Sequence, residues 1–142
     1  SIDSIPGAGG VNHDGTPANA LVYTLSGVTA IYNSQSTQFT LYADAGTAPG
    51  QAVQVRASYD FSGDGTFDRV ETYRYFATND LSGWEAYTQA QGLLSASGSF
   101  SNLSNGTVRI EVWAALGTQP IQLRTSATSA NGQQSVIVVP FN

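Results

Sequence analysis

Residues 52–76 read Ala52-Val-Gln-Val-Arg-Ala-Ser-Tyr-Asp60-Phe-Ser-Gly-Asp-Gly-Thr-Phe-Asp-Arg69-Val-Glu-Thr-Tyr-Arg-Tyr-Phe76. The two ends alternate in the two-residue period of a strand. Val53, Val55, Ala57 and Tyr59 share one face of the first run. In the second, Val70, Thr72, Arg74 and Phe76 point one way, and Glu71, Tyr73 and Tyr75 the other. Between them lies a polar segment rich in Asp and Gly. The stretch is therefore two strands joined by a long acidic turn, and it makes the chain a β-protein.

The turn carries a second pattern. Counting from Asp60, oxygen-bearing residues stand at positions 1, 3, 5, 7, 9 and 12, with Gly65 at position 6. That is the ligand spacing of a calcium loop, here Asp60, Ser62, Asp64, the Thr66 carbonyl, Asp68 and Glu71. One reading is a structural Ca2+ cage. The other is a hairpin turn whose Asp side chains bond their own backbone amides. The neutral Ser62, and a strand period that sends Glu71 along with Tyr73 and Tyr75, weigh toward the turn. No cofactor is required by either reading.

Outward from this stretch the same rhythm continues. Leu21–Leu25, Gln38–Ala45, Trp84–Gln89, Leu93–Ser99, Val108–Ala114, Ile121–Thr128 and Ser135–Phe141 all read as strands. Asn105-Gly106 and Asn131-Gly132 read as hairpin turns, since Asn-Gly tolerates the positive φ of a type I′ turn. Residues 1–20, rich in Gly, Pro, Asn and Asp, read as an extended N-terminal arm. No amphipathic helix, internal repeat or linker interrupts the pattern. The expectation is one all-β domain over residues 1–142, an antiparallel β-sandwich of about eight or nine strands.

Composition narrows the function. The 142 residues contain no Cys, no Met and no Lys, and the formal net charge is −5. Clustered cations for nucleic acid or anionic membrane are missing. No apolar run approaches the roughly 20 residues that span a bilayer. Only 11% of residues are charged, about half the usual share. Ser, Thr, Gly, Asn and Gln supply the polarity, a balance that suits a secreted β-domain. The first residues lack the basic start and apolar middle of a signal peptide.

Catalysis is poorly served. His13 is the single histidine and sits in the Gly-rich arm. Without Cys there is no thiol nucleophile, and a zinc site would have one imidazole. Glu71, Glu85 and Glu111 could form a glycosidase pair on paper. Glu71 and Glu111, however, each stand two residues from an Arg, Arg69 and Arg109, which favours cross-strand ion pairing. The chain is read as a non-enzyme.

The fifteen aromatic residues say more. Phe39, Tyr59, Phe76 and Tyr23 fall on apolar faces and read as core. Trp113 alternates onto the face of Arg109 and Glu111, and Tyr73 and Tyr75 onto that of Glu71. Trp84, Glu85 and Tyr87 follow a Gly-bearing loop. Rings beside planar charged groups suit sugars, whose C–H faces stack on aromatics while their hydroxyls take hydrogen bonds. The candidate ligand-binding set is Trp113 and Trp84 as platforms, Tyr73, Tyr75 and Tyr87 as flanking rings, and Arg109, Glu111 and Glu85 as hydroxyl partners. The competing reading has a loop, such as 78–83, covering Trp113.

The segment from Tyr59 to Tyr87, with its Asp-Phe-Ser-Gly-Asp-Gly-Thr-Phe-Asp turn and Leu-Ser-Gly-Trp-Glu-Ala-Tyr end, resembles the non-catalytic β-sandwich modules of microbial β-1,3-glucanases, close to carbohydrate-binding module family 56. Arg109-Ile-Glu-Val-Trp113 agrees with it. The resemblance covers about 30 of the 142 residues. It implies binding without hydrolysis to β-1,3-glucan of the curdlan or laminarin type, in a secreted enzyme whose catalytic domain is covalently attached. The alternative is a structural or adhesive extracellular sandwich with a calcium-stabilised loop.

Overall fold

The computed structural model describes residues 2–7, 15–44, 52–76, 83–117, 119–125 and 133–142. Ten strands are present among these residues: β1 (Ile2–Ile5), β2 (Leu21–Ala30), β3 (Gln38–Asp44), β4 (Ala52–Asp60), β5 (Arg69–Phe76), β6 (Glu85–Thr88), β7 (Leu93–Ser97), β8 (Leu103–Leu116), β9 (Ile121–Arg124) and β10 (Val136–Val138). One short 3-10 turn, Gln89–Gln91, follows β6. All pairings are antiparallel and form two five-stranded sheets. The larger runs β2-β8-β4-β5-β7. In the smaller, β3 is central: β6 takes one edge, and β9 and β10 take opposite ends of the other, with β1 beyond β9.

The all-β sandwich of the sequence reading is the fold observed. Side chains at alternate positions meet between the sheets: Phe39, Leu41 and Ala43 of β3, Val53, Val55, Ala57 and Tyr59 of β4, and Val108, Ile110, Val112 and Ala114 of β8. Phe39 sits edge-on between Tyr73 and Tyr87, with ring centroids 5.0 Å away on both sides. At the other end Tyr59 packs against Phe100 and Phe141, and Tyr32 stacks on Phe100 at 4.8 Å. Such edge-to-face and offset pairs add to the area they bury.

Three local expectations change. Part of the N-terminal arm, Ile2–Ile5, is a strand paired to Ile121–Arg124. Asn105-Gly106 is no hairpin turn; it lies inside the 14-residue β8. Asn105 does take the left-handed conformation, φ +51°, but the residue forms an irregularity where β2 and β8 slip register around Ser26, Val28 and Ala30. That kink lets the β4–β5 turn nest on β8, where the Ser104 amide donates to the Phe61 carbonyl at 2.8 Å. The run Ser135–Phe141, read as one strand, holds only a short edge strand, Val136–Val138. The Asn131-Gly132 turn and residues 78–82 lie outside the described residues.

Candidate functional site

The register decides where each candidate side chain points. On the large sheet, Trp113, Glu111 and Arg109 of β8 stand opposite Gln54, Arg56 and Ser58 of β4. These six occupy the face turned away from the core, as the alternation indicates. That face is nevertheless covered. The Gly15 amide donates to Gln54 Oε1 at 3.2 Å, and Arg56 donates back to the Gly15 carbonyl at 2.5 Å. Trp113 is 1% exposed, in a niche with Ala20, Ala52 and Ala115. It is therefore no open platform. Its alternation is read correctly from sequence, but nothing local reveals that residues 15–20 return across this sheet.

The covered face has an unusual polar interior. Among the described residues, buried Arg56 Nε, Ser58 Oγ and Trp113 Nε1 have no hydrogen-bond partner, and buried Arg109 Nε and Glu111 Oε1 have only their mutual ion pair. Arg109 lies 3.5 Å from Glu111 and places its guanidinium 4.4 Å over the Phe67 ring. Buried polar groups left this way call for ordered water.

Tyr73 and Tyr87 are corrected more sharply. Tyr73 pairs with Val55 and Tyr87 with Leu41, both core positions, so both rings are interior. Burial pushes the phenols of Tyr73, Tyr87 and Tyr59 far above their usual range. Glu71, opposite Ala57, is interior too. It accepts from Thr37 Oγ1 at 2.5 Å and from Arg69 at 2.8 Å, and Thr37 Oγ1 lies 2.6 Å from the Tyr59 hydroxyl. The two Arg–Glu pairs run along one strand each instead of across strands. The backbone of Tyr75 pairs with Val53; its side chain lies outside the described residues, as does His13.

The acidic turn is closed on itself. Asp60 Oδ1 accepts from the amides of Gly63 at 2.8 Å and Asp64 at 3.2 Å, and Oδ2 from Gly65 at 2.8 Å. Burial works to raise the Asp60 carboxyl, but the amides of Gly65, Gly63, Asp64 and Ser62 outweigh it and hold the group below its usual range. Asp64 accepts from the Thr66 amide and Asp68 from the Phe61 amide, both at 2.9 Å. Glu71, the last residue of the spacing, is turned into the core. Among the described residues no three acidic side chains gather into a cation site.

The small sheet offers the open surface. Its outer face carries Gln38, Thr40, Tyr42 and Asp44 of β3, Ala86 and Thr88 of β6, Val136 and Val138 of β10, and Gln122 of β9. A shallow groove of about 230 Å3 runs between Gln38, Thr40, Thr88, Gln89, Val136 and Val138. At the far end stands Trp84, partly exposed, with the Arg124 guanidinium 4.4 Å over its ring. Tyr42 is partly exposed beside Ala86, and Glu85 follows Trp84. Seven strand residues at about 3.4 Å each make a strip on the order of 20 Å long. Of the eight candidates, only Trp84 falls here; Glu85 pairs with the core position Ala43 and alternates to the inner side with Tyr87. Gln38, Thr40, Tyr42 and Thr88 were missed as site residues; the clue was their alternation with the apolar Phe39, Leu41 and Tyr87.

No family model, no curated protein and no solved structure matches the chain.

Proposed function

We propose that the chain is a non-catalytic polysaccharide-binding module, which holds β-1,3-glucan along the outer face of the small sheet. The observation that carries this reading is Trp84, a partly exposed indole braced by Arg124 on the same face as Tyr42 and a row of Gln and Thr side chains. The two rings offer flat apolar surface to pyranose C–H groups. Gln38, Thr40, Thr88 and Asp44 offer neutral and charged partners for hydroxyls. The strip is long, open and shallow, which suits a chain polymer lying across it more than a small molecule held in a pocket. The resemblance in residues 59–87 and 109–113 supports the β-1,3 linkage, an extracellular location and an attached glycoside hydrolase as partner.

Binding is tested by sedimentation with insoluble curdlan and by retardation in native gels containing laminarin. The unmodified protein should be retained in both. Trp84→Ala should weaken binding roughly tenfold, the size of one good aromatic contact. Tyr42→Ala should weaken it less, and Trp113→Phe should leave it unchanged. No retention on curdlan, laminarin, chitin, cellulose or α-1,3-glucan, together with a melting temperature that rises with Ca2+, would replace this reading by a structural or adhesive sandwich.

A further inference from the structure

β2 is an edge strand with an unusually unguarded edge. It pairs with β8 on one side and, among the described residues, with no strand on the other. Over Leu21–Ser26 its register with β8 is unbroken, so the opposite row of N–H and C=O groups is equally regular. Edge strands are normally protected by charge, proline or short length. This one has ten residues, Leu-Val-Tyr-Thr-Leu-Ser-Gly-Val-Thr-Ala, without charge or proline. Val22 is 54%, Tyr23 37% and Leu25 62% exposed. Directly inside the edge, an open apolar groove of about 330 Å3 lies between the sheets, lined by Tyr23, Leu25, Val28, Ile110, Val139 and Phe141.

A regular row of unpaired backbone groups is complemented by another extended strand. The strand itself carries no charge to oppose a second copy, and the Asp3 carboxylate beside it is bonded to the Tyr23 hydroxyl at 2.7 Å. We propose that two copies of the chain associate about a twofold axis by antiparallel pairing of β2 with β2, making one continuous ten-stranded sheet. An axis normal to the sheet puts like faces together. Tyr23 and Leu25 of each copy then extend the inner face across the seam, and the two apolar grooves close against each other. On the outer face Val22 meets Thr24 or Ser26. The register slip after Ser26, where Gly27 takes φ +71°, ends the paired stretch and limits growth of the seam. A seam of about six residues a side is short beside the roughly 1,000 Å2 or more that specific dimers bury, so association is weak and concentration-dependent.

Analytical ultracentrifugation of the intact chain from micromolar to near-millimolar concentration tests this. A reversible monomer–dimer equilibrium is expected. Leu25→Lys should weaken it at least tenfold with an unchanged circular dichroism spectrum, and Val22→Lys, on the other face of the seam, should also weaken it. Ala96→Lys, on the opposite edge strand β7, should leave it unaltered. Amide exchange at residues 22–26 should slow as concentration rises. A protein monomeric throughout the range, assembly beyond the dimer, or loss of association in Ala96→Lys instead of Leu25→Lys overturns the proposal.

Discussion

The two tryptophans show how differently one residue type is used. Trp113 is enclosed by three alanines, whose small side chains leave the room that an indole fills. Truncating it removes the largest buried side chain of that face. Trp113→Ala should lower stability by about 3–5 kcal/mol, read as a shift in the urea midpoint. Trp84, partly exposed and held by a cation–π contact, should cost no more than about 1 kcal/mol when changed to alanine. Sequence alone treated the two alike, because each sits beside charged residues. What separates them is not local: residues 15–20 cross over one, and no described segment crosses over the other.

At the scale of elements, the β4–β5 hairpin is the best-specified part of the chain. Asp60 caps its own turn, and the strands on either side follow the sequence alternation. Gly63, φ +71°, faces the Asn105 carbonyl so closely that a Cβ would collide with it, whereas Gly65, φ +90°, faces open space. Gly63→Ala should therefore destabilise by more than the roughly 1 kcal/mol of conformational strain expected for Gly65→Ala, as measured by thermal unfolding. Asp60 also sets an acid limit. Its depressed folded pKa stabilises the protein fully above the unfolded value, near 4, and that contribution is lost as pH falls through the folded value. Asp60→Asn should flatten the stability–pH curve below about pH 4. Elsewhere the same turn chemistry misled: Asn105-Gly106 supplies the positive φ that a hairpin needs, but here it is used within a strand to seat a neighbouring turn.

For the molecule as a whole, strand alternation was enough to give two stacked sheets and most of the core, since the inner residues of β3, of β4 and of β8 from Val108 onward repeat every second position. It was not enough to say which outer face stays open, because that depends on where the arm lies and on strand order. Tyr73 and Tyr87 illustrate the difficulty: a tyrosine next to a carboxylate or a tryptophan looks like surface, yet each pairs with a core position across the sheet. Their burial, with that of Tyr59, has a measurable outcome. The raised folded pKa values stabilise the protein below the unfolded phenol value, about 10, and that stability is lost as pH rises above it. Ultraviolet absorbance on alkaline titration should show these three phenols ionising only together with unfolding. The contrast between the indoles reaches further. Emission from Trp113 should be blue-shifted and shielded from iodide, while Trp84 should be readily quenched, so the protein carries a built-in optical reporter at one end of the open strip and a constant internal reference on the opposite sheet.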